Sequence, residues 1–488
     1  MYNFLKKLVK QISQDKSLFY AILFVVGVLL LRLFNIDGFT TFLGDQGRDA
    51  LIIKRIVTLE HLPAIGPITS IGQIFLGPFY YYFIAPWLLL SNFDPVGLSV
   101  GVAVSSAILL LTIYISTAKL FSKQFAWILL ITSGTSLVMY EFARFSWNPN
   151  LLPYISFLVA IASFDLFKRR KIMSAIFLGI LLSIAVQLHY IALVLLPPVG
   201  LLFAFYLFFD RNNVRRIIIL ALSSFISFCV VSFPLILFDL RHGFLNSRNF
   251  LKLFTQTEAV GGNTWDQFLD IFVALHKYIF GIELSNQICS YIIILLFGLL
   301  IWGVKKNREY SLIGLFFMAI IGGLSLYAGP KYTHYLAIVY LYYFAVIGII
   351  IMSLPKKIIP VVMGIVLILF SYVSITRYDF LNGDPNFQAR HAKRISNSII
   401  PHISKQLFQI TALPERYSDH TYRYYLEVLG KRPQEKDSLE RAQELFVICE
   451  GRCDLIIGNP TWDIAFFAPK KIAKQWEIEN VTIYKLTR

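Results

Sequence analysis

Charge is what this chain has least of: 15% of its 488 residues are charged, while 57% are hydrophobic. Soluble domains carry roughly a quarter of charged residues, so the shortage excludes a soluble protein. Most of the chain must face lipid or pack against other spans. Cysteine is nearly absent as well. The four present build no disulfide framework, because Cys229 falls within an apolar run and Cys289 at the edge of one. Only Cys449 and Cys453 stand close enough in sequence to pair, and only in an oxidising compartment. No small-residue cleavage site follows the first apolar run, Leu18 to Asn35, which reads as an uncleaved helix and not as a signal peptide. Neither a repeat at solenoid spacing nor the inverted repeat with broken helices that marks many transporters is visible.

Apolar runs are what the chain has in abundance. Stretches of about 20 residues, the length of a bilayer crossing, recur from Leu18 to Thr376. The net charge of +16 would suit nucleic acid, but Lys and Arg come in short clumps between these runs. That is the positive-inside pattern, so the charge sets topology and no nucleic-acid partner is expected. Lys6, Lys7, Lys10 and Lys16 put the N-terminus in the cytoplasm. The same side takes Lys119 with Lys123, the run Lys168 to Lys171, Arg211 with Arg215 and Arg216, Lys305 and Lys306 with Arg308, and Lys356 with Lys357.

Between successive clumps there is room for two crossings: 124–142 with 148–167, 172–190 with 191–209, 214–238 with 290–304, and 311–329 with 334–353. A last span over 358–376 delivers the tail outside. Before Lys119 parity permits one crossing, assigned to 96–118. The proline-broken, tyrosine-rich stretch 77–91 is then an interfacial or re-entrant helix. The expectation is an all-α polytopic protein of the plasma membrane, with about eleven membrane helices over residues 1–376. Residues 377–488 differ in kind. They are polar, with β-like runs at 407–412, 444–449 and 481–486 and helical stretches at 388–400 and 421–429. This tail reads as a small extracytoplasmic α/β domain, large enough for its own modest core.

On this topology five polar clusters fall outside. The first outer loop, 37–76, carries Asp45, Arg48 and Asp49 between and beyond Gly44 and Gly47. If that segment is helical, the two carboxylates four apart share a face with Arg48 beside them. The bland alternative is a solvated Arg–carboxylate pair. The second cluster runs from Tyr140 to Pro149 and holds Arg144 and Asn148. Arg144 could fork onto a phosphate, or snorkel as an interfacial anchor. Gln187 and His189 end the span 172–190, where polar side chains are costly unless paired or hydrated. Arg241 and His242 open the outer loop 239–289, and Lys331 with His334 stand at the next outer boundary. Each pair of cations suits an anion.

The first-loop Asp45 and Gly44-Asp45-Gln46, together with Gly77-Pro78-Phe79-Tyr80-Tyr81-Tyr82, Phe145-Ser146-Trp147-Asn148-Pro149 and Leu188-His189-Tyr190, resemble the GT-C glycosyltransferases. The likeness is to a bacterial membrane branch of the protein O-mannosyltransferase and aminoarabinose-transferase group. It covers residues 1–376 as a pattern of placed motifs; the tail carries no motif of its own. The resemblance implies a transferase that moves a sugar, with inversion, from a polyprenyl-phosphate carrier to an acceptor hydroxyl on the far side of the membrane. The acceptor is a protein, glycan or lipid. Asp45 matches the family's first-loop acid, the general base, with Asp49 as a second carboxylate. Here Gln46 stands where the family often has Glu, and Gly77-Pro78 where relatives have His-Pro-Pro. That leaves a divalent metal open, with no cofactor required. Arg48 then orients the base. Arg241, His242, Lys331 and His334, with Arg144 in reserve, face the phosphate, Tyr81 and its neighbours hold the prenyl chain, and Asn148 and His189 are further substrate-binding residues. A lipid or polysaccharide transporter, or a non-catalytic assembly protein, are the rival classes.

Overall fold

A computed structural model describes residues 15–69, 73–255, 263–405, 407–414, 418–436, 438, 440–453 and 455–488. Lys6, Lys7 and Lys10 lie outside the described residues. The first helix, Lys16–Leu33, starts where the Asp15 carboxylate accepts from the backbone N–H groups of Ser17 and Leu18. That satisfies two of the donors every helix start leaves free. Among the described residues seven helices are long and apolar enough to cross a bilayer, with shorter apolar helices beside them. The chain is a multi-pass membrane protein.

The loops sort to two ends of the bundle, and the contacts show which goes where. At one end Lys123 pairs with Asp15 at 2.9 Å, Arg170 with Asp210 at 2.5 Å, and Arg216 donates to the Arg170 carbonyl. Lys306 reaches the Ser353 carbonyl at the same end, where Tyr310 stacks on Phe121. These are the basic clumps of the sequence. At the opposite end Arg144 donates to the carbonyls of Arg32 and Phe34, the last turn of the first helix, and pairs with Asp379 at 3.4 Å. A cation fits there because a helix C-terminus presents unpaired carbonyls and the negative end of its dipole.

Several boundaries differ from the periodicity reading. The run 214–238 is two helices, Val214–Val231 and Phe233–Arg241, divided at Ser232 ahead of Pro234. The run 124–142 breaks at Ser136, whose backbone is extended. The outer loop 239–289 is mostly helical, with Leu245–Thr255 and Thr264–Phe280. Within 77–91 the helix is Phe79–Leu90, 12 residues long. At 1.5 Å per residue that covers about 18 Å, short of the roughly 30 Å hydrocarbon core. One charged side chain went unremarked in the sequence. Arg32 is fully buried and donates to Ser106 Oγ at 2.8 Å and Tyr154 hydroxyl at 3.2 Å.

The tail folds into a small four-stranded mixed sheet. Strands β1 (Phe408–Leu413), β2 (Glu444–Glu450), β3 (Lys471–Ile478) and β4 (Val481–Thr487) lie in the order β1-β2-β4-β3. β1 and β2 are parallel, joined through the helix His420–Val428, and the other pairings are antiparallel. β1, β2 and β4 match the apolar runs; β3 is mostly exposed and carries no apolar alternation to read.

This domain is seated on the first loop. The N–H groups of Asn386 and Phe387 donate to the Gly38 carbonyl, and Phe42 N–H donates to Gln388. Tyr424 hydroxyl donates to the Phe93 carbonyl, and Arg55 binds Glu427 and Glu435 at 2.9 and 2.7 Å. The closest approach is at Gly47 on the helix Gly44–Val57, where a Cβ would stand 2.6 Å from the backbone nitrogen of Thr421. Backbone cannot yield as a side-chain end can, so only glycine fits. Gly47→Ala should therefore cost about 1–3 kcal/mol, the usual penalty for overpacking. The expected readout is a lower thermal midpoint in detergent, with faster proteolysis after residue 377; an unchanged midpoint would show that the contact tolerates a methyl group.

Candidate functional site

The site is built outward from the helix Gly44–Val57. Its start is fixed by Gln46, whose side-chain carbonyl accepts from the Leu43 backbone N–H at 3.2 Å. This is a structural use for the residue that departs from the family pattern. Asp45 sits in the first turn, where the helix dipole favours an anion, and its side chain is half exposed. Arg48, one turn on, donates through Nη1 to Asp45 at 2.9 Å. Through Nε and Nη2 it donates to the buried Asp49 at 3.0 and 2.8 Å. Tyr81 hydroxyl donates to the same Asp49 oxygen at 2.9 Å. Asp49's other oxygen has no hydrogen-bond partner among the described residues. Burial pushes the Asp49 carboxyl above the ordinary range, and the guanidinium beside it pulls the other way. The four side chains thus form one line, Tyr81–Asp49–Arg48–Asp45, buried at one end and open at the other.

The helix Phe79–Leu90 carries this line to the second cluster. Tyr80, next to Tyr81, is hydrogen-bonded to Ser146 at 2.8 Å. The following Trp147 ring lies 4.8 Å from the His334 ring, and His334 lies 5.9 Å from His189. Asn148 donates to the Leu188 carbonyl at 2.6 Å, and His189 Nδ1 accepts from Ile191 N–H, so both residues pin the end of the helix Ile172–Leu188. Lys331, three residues before His334, bonds the carbonyls of Leu324 and Tyr327 and lies over the Tyr327 ring. Burial lowers its ammonium to about 8.

A third group joins Gln187 and Tyr190 to Asn246, a residue the sequence did not single out. Asn246 exchanges hydrogen bonds with the Phe75 backbone at 2.7 and 3.0 Å and donates to Tyr190 hydroxyl at 2.8 Å. Gln187 accepts from Phe79 N–H and donates to Ser183 Oγ and the Val231 carbonyl, which satisfies its amide inside the bundle. A Cβ at Gly77 would stand 2.3 Å from Gln187, which accounts for glycine at that position.

The expected site residues thus divide. Asp45, Arg48, Asp49 and Tyr81 touch directly; Asn148, His189 and His334 gather around Trp147, while the Lys331 ammonium sits on the Leu324 and Tyr327 carbonyls. Arg144 puts Nη1 on the first helix's carbonyls and lies over the Tyr140 ring, so it caps that helix, while its Nε and Nη2 are buried with no hydrogen-bond partner among the described residues. Arg241 and His242 are exposed at the end of Phe233–Arg241. His242 bonds and stacks on Phe238, and Arg241 has no partner among the described residues. Among the described residues no three His, Cys, Asp or Glu side chains gather as a metal site; Asp45 and Asp49 offer two carboxylates joined by a guanidinium.

The buried pair makes a stability prediction. Removing Arg48 leaves Asp49 charged and alone, which for a buried ion typically costs about 3–5 kcal/mol. Arg48→Ala should therefore lower the thermal midpoint more than the double variant Arg48→Ala/Asp49→Asn, which removes the stranded charge. Equal losses in the two would show that the pair is not coupled.

No family model and no curated protein matches this sequence. Solved structures match its fold. ArnT from Cupriavidus metallidurans bound to undecaprenyl phosphate superposes with a TM-score of 0.64 at 13% identity, over 96% of this chain and 98% of that one. The apo state of the same protein gives 0.61 over the same shares. The Archaeoglobus fulgidus oligosaccharyltransferase, in complex with zinc and sulfate, gives 0.52 at 13% identity, over 86% of this chain and 62% of that one. Both neighbours are GT-C glycosyltransferases. With its bundle of apolar helices, its loop helix of carboxylates and its small mixed-sheet tail, this chain has the GT-C fold.

Proposed function

We propose that the chain is a membrane glycosyltransferase that moves a sugar from a polyprenyl-phosphate carrier to an acceptor hydroxyl at the outer face. The observation that carries this reading is the line Tyr81–Asp49–Arg48–Asp45, which ends in an exposed carboxylate on a loop helix of a GT-C fold. The ArnT neighbour is bound to undecaprenyl phosphate, which supports a lipid-phosphate donor. The bundle end that carries Asp45 is opposite the basic clumps, which supports a cytoplasmic N-terminus and an extracytoplasmic tail. Residues 1–376 then form the catalytic part and 377–488 the outer domain.

The chemistry follows from where charge appears. The acceptor hydroxyl bonds to Asp45 and gives up its proton as its oxygen attacks the anomeric carbon. The bond from that carbon to the phosphate oxygen breaks from the opposite face, so the configuration inverts. The electron pair leaves with the polyprenyl phosphate. The Lys331 ammonium, and a hydrogen bond from the His334 ring that burial keeps neutral, offset the negative charge that grows on the departing phosphate. Asp49 and Arg48 touch neither partner and hold Asp45 in place. Tyr82, exposed where the neighbouring Tyr80 and Tyr81 are buried, begins the apolar groove for the prenyl chain, whose burial contributes roughly 0.8 kcal/mol per CH₂.

Two measurements test this reading. Asp45→Asn keeps the shape and removes the base, so transfer from a lipid-linked sugar should fall about 100- to 10,000-fold with the protein still folded. Substantial retained activity removes Asp45 from that role. Lys331 titrates near 8, so it is a cation below that pH and neutral above it. The KM for the donor should therefore be flat below pH 7 and rise above pH 8. Lys331→Arg, which keeps its charge, should flatten that rise; matching profiles would place Lys331 away from the phosphate.

A further inference from the structure

A cleft of about 390 Å³ opens in the tail domain. It lies at the carboxyl end of β1, where a parallel strand hands over to a helix, the usual place for a ligand in sheets of this kind. Its walls are Thr411 of β1, Ser418 and Asp419 ahead of the helix His420–Val428, Lys436, and Trp462 with Asp463. We propose that this cleft binds a saccharide and that the saccharide is the acceptor of the transfer reaction. The acceptor assignment rests on the function proposed above; the binding does not.

The charges in the cleft are matched and held. Asp419 is fully buried, between Arg423 and Lys436 Nζ at 2.6 Å. Asp463 accepts from Thr411 hydroxyl at 2.9 Å and lies 3.9 Å from Lys436. Among the described residues two carboxylates stand against two cations, with no surplus positive charge to draw a phosphate. A neutral polyol fits better. Asp463, the carboxylate of the two with exposed surface, accepts strong hydrogen bonds from vicinal hydroxyls, the Lys436 ammonium donates back, and Ser and Thr hydroxyls do either.

The second feature is Trp462, at the cleft edge and 69% exposed. Its ring is set by stacking on Phe466 at 5.6 Å and 15° between planes, which leaves the rest of its surface free. The negative face of an indole attracts the C–H edges of a pyranose ring, which are slightly positive. An aromatic plate beside carboxylates and hydroxyls is the chemistry that grips a sugar. The cleft is also close to the carboxylate helix. Ser418, in its wall, packs against Gly44, the residue before Asp45, where a Cβ would stand 2.7 Å from its own. A saccharide chain held in the cleft can extend its next hydroxyl toward that helix.

The test uses the full chain in detergent and saturation-transfer NMR with methyl mannoside, methyl glucoside, methyl galactoside, N-acetylglucosamine and glucosamine. At least one should receive saturation on its ring protons. The signal should fall fivefold or more in Trp462→Ala, and also in the isosteric Asp463→Asn, both with unchanged thermal midpoints. In Asp45→Asn it should persist. No saturation with any of the five sugars, or equal saturation in Trp462→Ala, overturns the proposal. If Asp45→Asn abolishes transfer while no sugar binds, the acceptor inference fails and the transferase reading stands. If a sugar binds through Trp462 while the unaltered chain transfers no sugar from a lipid-linked donor, the saccharide site stands and the transferase reading fails.

Discussion

Everything at the candidate site depends on one buried guanidinium–carboxylate contact. Arg48 holds Asp49 on one side and Asp45 on the other, so the exposed acid is fixed by a charge that cannot leave. A buried carboxylate is costly alone, and Tyr81 hydroxyl together with Arg48 makes Asp49 tolerable. That contact also settles how two elements meet. Tyr81 belongs to the helix Phe79–Leu90, so the ion pair pins the loop helix to the bundle at the height of the aromatic cluster around Trp147. An acid held this way needs no rearrangement before it takes a proton, which is the sense in which a site is preorganised.

The tail domain supplies the second constraint. It covers the first loop through Gly38, Phe42, Gly47 and Arg55, so the carboxylate helix is clamped between membrane helices and a mixed sheet. Glycine at 47 is there for this contact and not for loop mobility. The same clamp brings Ser418 of the tail cleft against Gly44. Membrane part and tail therefore share one helix, and the proposed acid lies at their seam.

Much of this was legible in the sequence. The apolar runs gave the helices, and the tail's runs gave β1, β2 and β4, because both are burial patterns with a fixed period. The i, i+4 spacing of Asp45 and Asp49 was enough to put them beside Arg48. What stayed hidden depends on distant partners. Arg144 reads as a phosphate ligand or an anchor until the carbonyls at the end of the first helix are seen on its Nη1. Asn246 is unremarkable in its loop, and only its bonds to Phe75 and Tyr190 reveal it. Arg32 carries its charge inside an apolar run, and Ser106 and Tyr154, its partners, are 74 and 122 residues away. Strand β3 has no apolar face to announce it. The tail cleft draws on four separate segments between Thr411 and Asp463, none of which is a motif alone.

The account stands on the carboxylate helix facing outward, opposite the basic clumps. The most direct check is a single cysteine at position 45, Asp45→Cys, labelled in intact cells with a membrane-impermeant maleimide. Cys229 and Cys289 lie within helices, and Cys449 is bonded to Cys453, so the background is quiet. The account predicts labelling from outside without permeabilisation. Labelling that needs the membrane opened would put the acid in the cytoplasm and contradict it.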